Sequence, residues 1–307
     1  MKLKDLSKDE SALSKKFWVV VVVLIMVAAS TVVVFGFIAP DPPQKVAMGD
    51  QVSVDYIGYV NVTGTPQVFD TSMWSVAVDN VTYPKAAWFT MRAQSAYKPL
   101  NFTAGNGQVV VGFDQGVLGM EEDETKTIVI TPDQGYGQMD PNKLVSFDLT
   151  VDVPLFVEST QAEFKAKFGV SAVTGLTVND PIYNWDVSVL NVDTLADKVL
   201  YKNMPSPGEK YMVYDNPSST FATGWYVNID SVNTTNDNGN GTITLTHQVE
   251  DSDSWDMVGY DTFTGKTSMF VLIDVDTANG TAVKNFNGPL LGNTMTFEVT
   301  MLDITSG

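Results

Sequence analysis

The sequence predicts a β-rich α+β protein with one N-terminal transmembrane helix. Three observations lead there. From residue 46 on, apolar and polar residues alternate with period two in most segments. Helical spacing is confined to a few short stretches. Residues 17–39 carry no charge at all.

Residues 1–16 hold five lysines and three acids and predict a cytoplasmic tail. The next run, FWVVVVVLIMVAASTVVVFGFIA, would span roughly 34 Å as a helix, enough for the hydrocarbon core of a bilayer. Valine favours strands, but lipid forces an isolated spanning segment to be helical. The run is longer than the apolar core of a cleaved signal peptide, so it reads as a signal anchor in contact with the lipid bilayer. The lysines at its N-terminal edge place everything after Pro40 outside the cell. Residues 40–45 read as a stiff Pro-rich linker.

In QVSVDYIGYV, Val52, Val54, Tyr56 and Val60 alternate with polar partners, and in TMTFEVTML Met295, Phe297, Val299 and Met301 do the same. Both predict half-buried strands. GFDQGVLGM spaces Phe113, Val117 and Met120 as one face of a short helix. TQAEFKAKFG offers a capping box, Thr160 with Glu163, before Phe164 and Phe168. Near residue 140 glycine-rich turns give way to longer strand-like stretches with Asn/Asp/Gly turns. VDTLADKVLYKNMPSPGEKYMV and VDTANGTAVKNFNGPLLGNTMTFEV echo one another, which reads either as a duplicated strand unit or as chance.

The chain has 307 residues, with 18 Lys+Arg against 36 Asp+Glu and a net charge of −18. Such acidity repels phosphates, so no nucleic-acid partner is expected. There is no cysteine, which removes disulfides, thiolate metal sites and a cysteine nucleophile. His247 stands alone in TLTHQVE and reads as a strand histidine. NTTNDNGNGT and DTANGT resemble partial calcium loops but lack the ligand spacing and closing glutamate, so they read as hairpin turns. No metal and no cofactor are expected. Six N-x-[ST] sequons, at Asn61, Asn80, Asn101, Asn233, Asn240 and Asn279, fall on the outer part and are candidates for glycosylation. In TPDQGYG, Tyr136 stands between two glycines; it either packs on the body of the protein or turns its hydroxyl to a site.

Read in order, VDYIGYV, VFDTS, PLNFTAGNGQVVVGFDQGVLGM and ETKTIVITPDQGYG resemble an FKBP-type peptidyl-prolyl isomerase domain over roughly 90 residues. The long stretch between VFDTS and PLNF, with its YPK, is similar to archaeal members. FNGPLLGNTMTFEV at 286–299 resembles the returning strand of the SlyD branch, whose second domain is inserted in the flap after the GYG turn. The resemblance implies an antiparallel half-barrel sheet wrapped on a short helix. It implies an isomerase domain of residues 46–140 plus 286–307 and a β-rich insert of 141–285, one unit or two according to how the echo is read. It implies pocket walls at Tyr56, Phe69, Phe102, Val109, Val110, Phe113 and Phe297. Phe113 stands where many members place a tryptophan. Asp70 matches the pocket aspartate, bonded to the Tyr56 hydroxyl. The Val110 N–H and the Tyr136 hydroxyl match the groups that hold substrate carbonyls, with Leu100 and Gln108 beside them. Asn101, within a sequon, would put a glycan near the rim.

The implied activity is rotation about X-Pro bonds in unfolded or proline-containing polypeptide clients, outside an archaeal cell membrane. The insert would capture unfolded chain. Two other classes stand beside it: a holdase with little isomerase activity, and a structural surface protein that reuses the fold.

Overall fold

The structure is a computed structural model and describes residues 43–219, 223–236 and 239–307. Residues 1–16, the apolar run 17–39 and the start of the linker lie outside the described residues. Among the described residues no helix is long and apolar enough to cross a membrane. The described chain is rich in antiparallel β-sheet and poor in helix, and Lys45–Gly307 is one compact unit.

The first part supplies β1 (Gln51–Val60), β2 (Gln67–Thr71), α1 (Trp74–Val78), β3 (Leu100–Thr103), α2 (Val111–Gly116) and β4 (Thr125–Ile130). Next come three strands in quick succession, β5 (Leu144–Asp148), β6 (Thr150–Pro154) and β7 (Phe156–Ser159), and α3 (Gln161–Phe168). Three meanders follow: β8 (Thr177–Asn179), β9 (Asp186–Asp193) and β10 (Lys198–Asn203); β11 (Lys210–Val213), β12 (Trp225–Asn233) and β13 (Thr242–His247); β14 (Val258–Phe263), β15 (Lys266–Asp276) and β16 (Thr281–Asn285). The chain closes with β17 (Met295–Thr305).

β17 lies between β1 and β4, and the other edge of β1 is shared by β2 and β3. One face of this sheet packs on α2. Val52, Val54, Ile128, Ile130, Val299 and Met301 form its core with Phe113, Val117 and Met120 of the helix region. The helix sits close because Gly116 has no side chain; a Cβ there would lie 2.5 Å from Ile128 Cγ2.

Between residues 144 and 285 each meander ends on one of the three early strands. β10 pairs with β7, β13 with β6 and β16 with β5. The result is three four-stranded sheets of one topology. Alternating residues of all three meet in a single core that includes Trp185, Val187, Val227, Ile229, Leu245, Phe270 and Leu272. Leu149 and Leu155, at the breaks between β5, β6 and β7, are buried in the same core. The internal echo, residues 192–213 and 275–299, begins at the ends of β9 and β15 and runs through β10 and β16 into β11 and β17. The middle meander repeats the topology, and the echo reaches only its first strand. α3 carries the capping box on Thr160 and Glu163 and buries Phe164 against Tyr201.

The first sheet and the third meander share a further apolar cluster. Val60, Ala86 and Trp88 pack with Val258, Val271 and Ile273, and the Trp88 and Trp255 rings meet edge-on at 6.2 Å.

Candidate functional site

Four aromatic rings gather at one end of the first sheet, because four different elements point there. β1 brings Tyr56, β2 brings Phe69, α2 brings Phe113 and β17 brings Phe297. Phe297 is the hub. Its ring lies 5.1 Å from Phe113, 5.6 Å from Phe69 and 6.1 Å from Tyr56, with the first two edge-on. In the sheet, Gly58 pairs with Phe297 on one side and Asp70 on the other. A Cβ at Gly58 would come within 2.8 Å of Phe69 Cζ and 2.9 Å of Phe297 Cε1, so the rings pack directly on bare backbone.

These rings line a cavity of about 430 Å³ together with Asp70, Leu100, Gln108, Val109, Val110 and Tyr136. Phe102 is the exception among the residues assigned to the walls. Its ring is buried beneath Phe113, with centroids 5.9 Å apart, and supports the floor without lining it. β3 alternates, so Leu100 and Phe102 point the same way, but Phe102 lies deeper under the helix.

One polar network crosses the rim. The Tyr56 hydroxyl donates to Asp70 Oδ2 at 2.6 Å, and Arg92 Nη2 donates to Asp70 Oδ1 at 3.0 Å and to the Thr71 carbonyl at 2.6 Å. Burial, then the Asp70 carboxylate, hold the Tyr56 hydroxyl well above its ordinary pKa, so it stays a donor. The Arg92 guanidinium lies over the Tyr97 ring at 4.8 Å. Tyr136 follows a short turn at Pro132–Gln134 and is 50% exposed. Among the described residues its hydroxyl has no hydrogen-bond partner; burial and Asp70 raise its pKa as well. The opposite wall is set by a buried carboxylate: Asp114 accepts from Gly105 N at 2.7 Å and Gly107 N at 2.9 Å, and this fixes the loop before Val109 and Val110.

A second cavity of about 450 Å³ adjoins the first and shares Phe69, Asp70 and Tyr136 with it. Its other walls are Trp88, Thr90 and Arg92 from the long stretch after β2, and Gly288–Leu291 ahead of β17. Sequence reasoning missed Trp88, Arg92, Leu290 and Asp114. The available signal was the placement of an aromatic and a cation in the stretch after VFDTS, which has no periodicity to place them. Asn101 is exposed on β3 and lines, with Arg92 and Lys98, a smaller pocket next to Tyr56. Among the described residues no cluster of His, Asp or Glu could hold a metal ion.

The family model for FKBP-type peptidyl-prolyl cis-trans isomerases matches residues 42–152. FK506-binding protein 1 of Aspergillus oryzae is 31% identical over 98 residues, which are 32% of this chain and 72% of that protein. The chain belongs to the FKBP-type peptidyl-prolyl cis-trans isomerases. Within this family it is also similar to the short-type peptidyl-prolyl cis-trans isomerase of Methanocaldococcus jannaschii, 41% identical over 96 residues, 31% of this chain and 53% of that one. FK506-binding protein 2 of Candida glabrata is 31% identical over 111 residues, 34% and 65% of the two chains. The chain thus spans about half to two thirds of the length of these last two relatives. The FKBP match takes in β1 to β6 and stops before the three meanders.

Proposed function

We propose that this chain catalyses rotation about X-Pro peptide bonds in polypeptide substrates, with the proline in the aromatic cavity. The observation that carries the reading is the gathering of Tyr56, Phe69, Val109, Val110, Phe113 and Phe297 around one space, with Tyr136 and Asp70 at its mouth. Amide resonance sets a barrier of about 18–20 kcal/mol to this rotation. Twisting the bond removes that resonance and makes the amide less polar. A site with apolar walls that sheds water therefore favours the twisted form over the planar one. No acid, base or metal is called on. The rings of Tyr56, Phe113 and Phe297 grip the pyrrolidine. The unpartnered Tyr136 hydroxyl and the Val110 N–H hold substrate carbonyls, and Leu100 and Gln108 flank them. The Tyr56–Asp70–Arg92 network keeps the rim rigid while the bond turns.

The finer reading adds a place and a client. The uncharged run 17–39 and its lysine-rich flank support a single-pass membrane anchor with residues after 40 outside the cell, and the six sequons agree with export. The returning strand after a large insert supports the SlyD-like branch. Among the described residues the outer strand β8 pairs only with β9, and this supports capture of unfolded chain by strand addition in the insert, whereas the outer edges of β11 and β14 are already met at Met212, Val258 and Tyr260. The reading is tested on a fragment from residue 44 onward, assayed for acceleration of refolding of a proline-limited protein. Acceleration that weakens in Tyr136→Phe is expected. No acceleration, together with no effect of that substitution, would sink the enzyme reading in favour of a holdase.

A further inference from the structure

The chain crosses between the first sheet and the three inserted sheets twice, and the two crossings lie side by side. Gly292 N donates to the Gly137 carbonyl at 2.8 Å, and Phe286 N donates to the Lys143 carbonyl at 2.9 Å. Between these two contacts sits Asn287, 2% exposed. Its side chain acts as the missing peptide group of the ladder. Asp140 N donates to Asn287 Oδ1 at 2.9 Å, and Asn287 Nδ2 donates to the Asp140 carbonyl at 3.1 Å and to Asn285 Oδ1 at 2.9 Å. Asn285 is fully buried and also accepts from Asn287 N at 2.9 Å. A primary amide offers a donor and an acceptor side by side at every pH, which a carboxyl does only while protonated, and the longer arm of glutamine would overshoot a buried slot.

Each crossing runs straight into a wall of the cavities. Gly137 follows Tyr136 on the way out, and Gly288–Leu291 follow Asn287 on the way back. We infer that Asn287 is a positioning residue, which clamps the loop carrying Tyr136 to the loop carrying Leu290 and so sets the width of the substrate groove. The catalytic part of this inference rests on the isomerase reading above.

The experiment compares full-length wild type, N287A and N287D, alone and in a Tyr136→Phe background, using a proline tetrapeptide and amide hydrogen exchange. N287A should lower kcat/KM by about tenfold, as small misplacements of a site do. In the Tyr136→Phe background the same change should cost less than about twofold, because the group being positioned is gone. The carboxyl introduced by N287D lacks the donor while ionised and regains it when protonated. Its burial raises its pKa, so activity relative to wild type should recover toward about pH 5. The ionisable side chains carried by the two crossings are Asp140, Lys143 and Lys284. Protection of the Asp140 and Gly292 amides, taken relative to the intrinsic exchange rate at each pH, should fall in N287A and return in N287D on acidification. The acid recovery of N287D keeps the comparison within one folded protein even where N287A folds poorly. Unchanged kcat/KM in N287A, or an undiminished loss in the Tyr136→Phe background, overturns the positioning role. A wild type without isomerase activity sinks the isomerase reading instead, and the exchange result then decides whether Asn287 clamps the loops.

Discussion

Gly58→Ala adds one methyl group at the back of the aromatic cavity. Its Cβ would stand 2.8 Å from Phe69 Cζ, and ordinary contact begins near 3.4 Å, so the ring must withdraw by about 0.6 Å. Phe297 faces the same demand at 2.9 Å, and Phe113 and Tyr56 lean on Phe297 in turn. Overpacking of this kind costs about 1–3 kcal/mol. Alanine also recovers about 0.5–1 kcal/mol that glycine loses within a strand. The net loss should be about 1 kcal/mol, a fall in Tm of about 2–4 °C for a unit of this size. The effect on rate should be larger than the effect on stability, because both rings can give way only toward the cavity. A fall in kcat/KM of about tenfold is expected. Thermal unfolding and a tetrapeptide assay on the same preparation separate the two. A Gly58→Ala protein that is as stable and as fast as wild type would show that the rings are not seated on the backbone of β1 and that the cavity wall is not set by it.

Tyr136→Phe should lower kcat/KM by about three- to tenfold, the range of one hydrogen bond, and leave Tm unchanged because the side chain is half exposed; an unaltered rate would place the hydroxyl outside the reaction. His247 is kept neutral, since burial and then the Lys284 ammonium push its pKa down to about 3 from 6.5. The unfolded chain takes up a proton that the folded chain refuses, so the stability contributed by His247 is complete above pH 6.5 and is lost as pH falls toward 3. His247→Gln keeps an acceptor for Trp225 Nε1 and should flatten the dependence of the urea midpoint on pH across that window; parallel curves would refute the neutral assignment. Lys284 Nζ is buried and donates to Tyr214 Oη at 2.8 Å and Asp261 Oδ2 at 2.6 Å. Lys284→Met should cost about 3–5 kcal/mol in chemical unfolding and Asp261→Asn should restore part of it, whereas a loss under about 1 kcal/mol would mean water reaches the pair.

The site was legible where residue type and local pattern carried it. Tyr56 sits on a clear alternating strand, Phe113 on a one-sided helix, and Tyr136 in a turn whose glycines leave room for little else. Arg92 and Trp88 were not legible, because the segment from 79 to 99 has neither period two nor helical spacing. Their positions come from long-range contacts, Arg92 on Asp70 and Trp88 on Trp255. Asn287 was hidden for a similar reason: its partner Asp140 is 147 residues away. The three meanders were visible as strands but not as a threefold scheme. What makes them one scheme is the pairing of each with a strand from the run 144–159, and pairing partners leave no mark in local alternation. The echo marked two of the three because their turns use an aspartate in the same way, Asp193 accepting from Leu195 N and Asp276 from Asn279 N.

The shared cluster between the first sheet and the third meander decides how the role of the insert can be tested. Removing residues 141–285 and rejoining the crossings is easy on geometry, since Asp140 and Asn287 are already in contact. It is not neutral for the remainder. Val60, Ala86 and Trp88 are buried against Val258, Val271 and Ile273, and the deletion turns that contact into an exposed apolar patch. The deleted protein should therefore melt lower than the whole chain and self-associate. Replacing Trp88 by a polar residue in the deleted protein should relieve the association. Sedimentation of the two deletion forms checks this, and a monomeric deletion with an unshifted Tm would mean the cluster contributes nothing. A client-aggregation assay that compares only whole and deleted chains would then mix two effects, loss of the proposed capturing edge on β8 and gain of a sticky patch. Strand addition is isolated by charged substitutions on the β8 edge within the intact chain. Loss of client protection with the Tm and the isomerase rate unchanged would assign capture to the insert, and full protection would remove it.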